Sequence, residues 1–133
     1  MSHAATLETL PTSFGALKPV GHVLLAFASA SQRSLVQTGM QLDGWADDAV
    51  LEFEPQESVQ ELSQLIEHSS GAAGFGYELT LMRRYLDLAQ TGHVWLLVKV
   101  DGDPQAQRIA SLARLYGARS AVHYRLLTIE DLL

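Results

Sequence analysis

The 133-residue sequence contains no cysteine. That absence removes disulfides, thiolate nucleophiles, iron–sulfur clusters and Cys-ligated zinc, and it suits a reducing compartment. Long apolar runs are missing as well. A membrane-spanning helix needs about twenty mostly apolar residues, and runs such as Val94 to Val98 are far shorter. The first eighteen residues hold no basic start followed by a continuous apolar core, so no secretion signal is read there and a cytoplasmic location is expected. Basic charge is scarce: nine Lys and Arg face fifteen Asp and Glu, for a net charge of −6. Nucleic acid, which is bound through neutralised phosphates, is therefore an unsuitable partner.

What is present is apolar material for a core. With 47% hydrophobic and 18% charged residues the chain reads as one globular domain. Residues 1–19, interspersed with Thr6, Thr9, Pro11, Thr12, Ser13, Gly15 and Pro19, read as a tail pinned by Phe14 and Leu17. The rest, 20–133, divides by internal repetition. Gly21-His22-Val23-Leu24-Leu25 recurs as Gly92-His93-Val94-Trp95-Leu96-Leu97 with a one-residue slip. Ala49-Val50 matches Ala121-Val122, and Ser58-Val59-Gln60-Glu61-Leu62 matches Thr128-Ile129-Glu130-Asp131-Leu132. The matches keep order and near-constant spacing, which gives repeat one at 20–57, an insertion at 58–91 and repeat two at 92–133.

Each repeat switches from strand to helix periodicity and back, the pattern of a βαβ unit. Val20 to Ala28 reads as a strand. A helix follows from Gln32 to Leu42, capped by Ser29 or Ser31, with Leu35, Val36, Met40 and Leu42 as its apolar stripe and Asp43-Gly44 as its stop. Ala49 to Glu54 is the second strand, with Leu51 and Phe53 facing inward. His93 to Val100 is the third, followed by a helix from Gln105 to Tyr116 with Asp103 as cap, Pro104 at its first turn and Gly117 as a left-handed stop. Ser120 to Leu127 is the fourth, with Val122, Tyr124 and Leu126 on one face and His123 and Arg125 on the other. The first and third strands are unbroken apolar runs suited to the centre of a sheet; the second and fourth alternate as edges do. The expected fold is α+β, a ferredoxin-like plait: two βαβ repeats forming a four-stranded antiparallel sheet, with an inserted helical pair between them.

The insertion predicts helices over Val59 to Glu67, opened by a Ser58–Glu61 capping box, and from about Gly74 to Gln90. Phe75, Leu79, Met82 and Leu86 share a face of the second, with Tyr85, Leu88 and Ala89 beside it, so its apolar arc is broad. Either this insertion or a second subunit must cover the sheet face that the repeat helices leave open.

Few residues form a chemical constellation. The histidines at 3, 22, 68, 93 and 123 lack the short spacing of a metal clip, and neither a metal nor a cofactor is implied. Equivalent positions in antiparallel central strands place His22 and His93 at opposite ends of the sheet. His123 beside Arg125 offers an anion contact, against plain solvent exposure on an edge strand. Gly71-Ala72-Ala73-Gly74-Phe75-Gly76 follows a helix rather than a strand and has no adjacent lysine, so it reads as a helix junction rather than a phosphate loop. Asp43, Asp47 and Asp48 cluster in a turn, where capping competes with loose cation binding. No Gly-x-Ser-x-Gly elbow occurs.

The repeated halves, the Gly-rich helical insertion and the closing Tyr116-Gly117-Ala118, Val122-His123-Tyr124 and Thr128-Ile129-Glu130-Asp131-Leu132 resemble bacterial heat-induced or general-stress proteins of the YflT type. The likeness covers roughly Gly21 to Leu133. It implies a small cytoplasmic stress-associated protein and carries over no catalytic residue. Unlike the more apolar insertions of some relatives, this one bears Glu78, Arg83, Arg84 and Asp87.

Charge separates along the chain. Residues 1–70 hold two basic and nine acidic side chains, and residues 71–133 seven and six, so the halves carry −7 and +1. A solvated acidic face explains this simply; an acidic half meeting the Arg-bearing half of another copy explains it functionally. The leading expectation is a non-catalytic homo-oligomer, a dimer, associating through the insertion helix and the uncovered sheet face. A small-molecule-binding module is the alternative, with Phe75, Met82, Tyr85 and Trp95 lining a pocket between sheet and insertion. A dimeric α/β-barrel-like enzyme is the third, and requires His22, His93 or His123 to point into that cavity.

Overall fold

The computed structural model describes residues 3–4, 12–13, 16–17, 19–54, 59, 62–64, 66–67, 76–125 and 128–133. In chain order the elements are β1 (His3–Ala4), β2 (Thr12–Ser13), β3 (Ala16–Leu17), β4 (His22–Phe27), α1 (Ala30–Leu42), a 3-10 turn (Asp47–Ala49), β5 (Val50–Phe53), α2 (Gly76–Gln90), β6 (Val94–Lys99), α3 (Asp103–Leu115), β7 (Ser120–Tyr124) and β8 (Ile129–Asp131). Residues 59, 62–64 and 66–67 are helical. Phe14, Phe75, Leu126 and the Gly71–Ala73 stretch lie outside the described residues.

The chain is α+β, built on an open antiparallel sheet in the order β5-β6-β4-β7-β8. The two residues of β1 add to the outer edge of β5 in parallel. The repeated strands are hydrogen-bonded neighbours: β4 pairs with β6 from His22↔Lys99 to Phe27↔Val94. Both are buried along nearly their whole length, as their uninterrupted apolar sequences require.

The sheet does not stop at four strands. Within Thr128 to Leu132, which matches Ser58 to Leu62 in sequence, Ile129–Asp131 form β8 against β7; Ser58 and Glu61 of the expected capping box lie outside the described residues. Asp131 is too short to close a capping box, and its carboxylate accepts from the Leu133 amide. The Arg125 amide bonds to the Thr128 carbonyl at 2.8 Å and turns the chain back along β7. Consequently β7 is an interior strand, buried at all five residues, and not the half-exposed edge that its alternation suggests.

Each face of the sheet carries its own core. On one, Val23, Leu25, Phe27, Leu96 and Val98 pack under α1 and α3 with Val36, Met40, Ile109 and Ala113. On the other, Leu24, Ala26, Trp95, Leu97, Val122 and Tyr124 pack under the insertion with Leu62, Leu81, Met82, Tyr85 and Ala89. The second face is thus covered by this chain's own insertion. Each fully buried side chain contributes roughly 1.5–3 kcal/mol, so closing that face removes a large penalty without a partner.

Helix ends follow local chemistry. The Ser29 hydroxyl accepts from the Gln32 amide and caps α1, while Gly44 (φ 86) and Gly117 (φ 73) adopt the left-handed conformation just beyond α1 and α3. Gly21 (φ 82) and Gly92 (φ 80) do so just before β4 and β6. The cap of α3 is Gly102 rather than Asp103, which lies in the first turn, where its charge favours the helix dipole. The buried stripe of α1 is Arg33, Val36 and Met40; Leu35 and Leu42, expected in the apolar stripe, are exposed.

Candidate functional site

The face covered by α2 gathers most of the residues singled out as a pocket or interface. Met82 and Tyr85 project from α2 onto Trp95 of β6, and all three are buried. The Tyr85 and Trp95 rings meet edge to face, centroids 5.4 Å apart and planes at 82°. The Tyr85 hydroxyl lies 2.7 Å from that of Tyr124 on β7. These side chains fill a packed layer, so the apolar arc of α2 is spent on the sheet and not on an open groove. Tyr124 was legible only as an apolar strand position; nothing in the sequence signals its hydroxyl pair with Tyr85.

His22, His93 and His123 do not converge. His22 opens β4 opposite Lys99 and Tyr124, and its Nδ1 lies 3.0 Å from the Val20 carbonyl. His93 stands at the other end of the sheet, just before Val94, the partner of Phe27. There its Nδ1 approaches the Leu88 carbonyl at 2.9 Å and the Thr91 hydroxyl at 2.9 Å, tying the end of α2 to the start of β6. A carbonyl only accepts, so Nδ1 is the donor in that contact.

His123 occupies the opposite face, in the cross-strand row Val98–Val23–His123–Glu130 beneath α1 and α3. It is 4% exposed, which corrects the expectation of an exposed edge-strand histidine: β8 lies alongside β7 and shields it. Its Nδ1 is 3.8 Å from a Glu130 oxygen, beyond hydrogen-bond range. Arg125 sits outside β7, where Nη2 donates to Asp103 at 2.9 Å and links the β7–β8 turn to the start of α3.

Two ionic features had no sequence signal. Buried Arg33 donates to the Phe53 carbonyl at 3.3 Å and to Glu54 at 3.1 Å, with Glu52 at 3.8 Å, and clamps α1 to the end of β5. Arg108 grips Asp43 through both carboxylate oxygens. That hydrogen-bonded pair holds the Asp43 carboxyl below its ordinary value, mainly through the Arg108 hydrogen bond. Beside it an open cleft of about 280 Å³ is lined by Asp43, Trp45, Ala46, Lys99, Asp101 and Gln105. Among the described residues no three His, Asp or Glu side chains are grouped to hold a metal ion, and no helix is long and apolar enough to cross a membrane.

Exposed Asp48 and Glu54 flank β5, Glu54 paired with Arg33, while exposed Arg119 precedes β7; Arg84 of α2 donates through Nη2 to the Arg119 carbonyl at 3.4 Å and pairs with Asp131 at 3.6 Å on β8, which also carries Glu130. Comparison of the chain with protein-family models, with curated proteins and with solved structures finds no match.

Proposed function

We propose that this chain is a cytoplasmic, stress-associated, non-catalytic domain that associates with further copies of itself through opposite edges of its sheet. The observation carrying the reading is the placement of exposed Asp48 and Glu54 beside β5 and of exposed Arg119 beside β7, each one strand in from opposite ends of the order β1-β5-β6-β4-β7-β8. Complementary edges on one molecule make a heterologous, head-to-tail contact, which builds open chains unless its rotation closes a ring. The insertion helix is spent on its own sheet, so the charged edges remain the surfaces for association. The scattered positions of His22, His93 and His123, on different ends or faces, favour a binding role over catalysis.

The same reading takes the architecture as a ferredoxin-like plait made by duplication. It is supported by the antiparallel pairing of β4 with β6 and by the strand order β5-β6-β4-β7. Paired left-handed glycines support it too: Gly21 with Gly92 before the central strands, and Gly44 with Gly117 after two helices of equal length. Light scattering tests the association. At low salt the mass should rise with concentration above 14.5 kDa and return to it as salt is added; a constant 14.5 kDa removes the proposal.

A further inference from the structure

The open cleft of about 280 Å³ beside the Arg108–Asp43 pair lies where two connections meet. The turn after α1 supplies Asp43, Trp45 and Ala46; the end of β6 and the turn after it supply Lys99 and Asp101, and Gln105 comes from the start of α3. Trp45 is half-buried and packs against the core under α1 and α3, so its indole is anchored on one side while it lines the cleft on another. The Asp101 amide donates to Gln105 Oε1 at 2.7 Å, which holds the Asp101 backbone against α3.

Charge around this cleft is not balanced. Arg108 donates to both oxygens of Asp43, and Asp103 in the first turn of α3 is paired with Arg125. The Asp101 carboxylate, by contrast, makes no ion pair or hydrogen bond with another described residue. Exposed Asp47 and Asp48 stand between Ala46 and Ala49, both of which line the cleft, and add negative charge beside it. Lys99 also lines it, but alternation from Trp95 and Leu97 directs its side chain toward the α2 face, whereas Trp45 belongs to the opposite face.

An indole beside an uncompensated carboxylate suits one class of guest. The carboxylate takes the charge of an organic cation, and the ring takes its methylenes and adds cation–π attraction. An anion would meet Asp101, Asp47 and Asp48 while Arg108 is already engaged. A divalent metal ion requires several oxygen ligands, and among the described residues no three acidic or histidine side chains are grouped to supply them. A neutral apolar molecule would shield Asp101 from water and return nothing for it.

We propose that the cleft between the α1–β5 connection and the β6–α3 turn binds a small organic ammonium ion, its charge on Asp101 and its alkyl body along Trp45. The site lies apart from the packed layer under α2 and stands independently of association through the sheet edges.

The test titrates the full ¹⁵N-labelled chain with butylammonium chloride at constant ionic strength, with butanol and sodium butyrate as neutral and anionic counterparts of equal length. The two indole signals belong to Trp45 and Trp95, and Trp45→Phe assigns them. Butylammonium should shift the Trp45 indole signal saturably, with a dissociation constant in the millimolar range suited to so few atoms. Butanol should bind about three- to tenfold more weakly, and butyrate should leave the signal unmoved. Asp101→Asn, at an exposed position, should weaken butylammonium about three- to tenfold with an unchanged urea midpoint. The proposal is overturned if the Trp45 signal moves no further with butylammonium than with sodium chloride, if butanol binds equally well, or if Asp101→Asn binds butylammonium as wild type does.

Discussion

The hydroxyl oxygens of Tyr85 and Tyr124 lie 2.7 Å apart in the buried layer between α2 and β7. The bond joins the insertion to the second half of the chain across 39 residues of sequence, and it fixes which turn of α2 rests on which strand. Tyr85→Phe and Tyr124→Phe should each cost about 1 kcal/mol. The double variant should cost clearly less than their sum, since both remove the same bond. Urea unfolding of the four chains measures this, and strict additivity contradicts it.

Arg33 gives a second check on how α1 is held. Replacing it with Met keeps the aliphatic stem but releases the Phe53 carbonyl and Glu54. A fully buried pair costs about 3–5 kcal/mol to break, but the Glu54 side chain is 56% exposed, so solvent screens part of the loss. The expected cost of Arg33→Met is about 1–3 kcal/mol, and that of Glu54→Gln about 0–1 kcal/mol. Equal costs for the two would show that the clamp on the carbonyl contributes little.

Acid stability should depend on Asp43. Its folded-state pKa is held below the ordinary carboxylate value of 3.8 by Arg108, so the unfolded chain takes up that proton first as the pH falls. The pair therefore contributes stability above the unfolded value, and this is lost as pH falls through the folded one. Asp43→Asn removes the contribution. Its curve of unfolding free energy against pH should be shallower than wild type below about pH 4 and parallel to it near neutrality. Parallel curves throughout would disprove the coupling.

The left-handed glycines provide a stability test of equivalence between the halves. A Cβ at Gly21 or Gly92 meets nothing within 4 Å, so only the positive φ of 82 or 80 penalises a side chain. Gly21→Ala and Gly92→Ala should each cost about 1–2 kcal/mol, and by similar amounts. Thermal unfolding measures both, and a marked inequality would separate the two positions.

The long-range arrangement was readable where sequence and packing agree. The unbroken runs of β4 and β6 placed those strands at the centre side by side, and the broad arc around Met82 and Tyr85 marked a helix that needed burial. Ser29 and the glycines marked helix ends. The misreadings arose where tertiary pairing overrode local pattern: the alternation of Ser120 to Leu127 reads as a sheet edge, but β8 pairs with β7 and buries His123.

Sedimentation velocity of wild-type chain, Arg119→Glu, Asp48→Arg and an equimolar mixture of the two variants tests the proposed association most directly. Wild type should associate at about 0.05 M salt and dissociate by about 0.5 M; each variant alone should associate less, and the mixture should recover a complex through the exchanged charges. A single monomeric boundary for every sample at every concentration, or association indifferent to both charge reversals, would contradict the account.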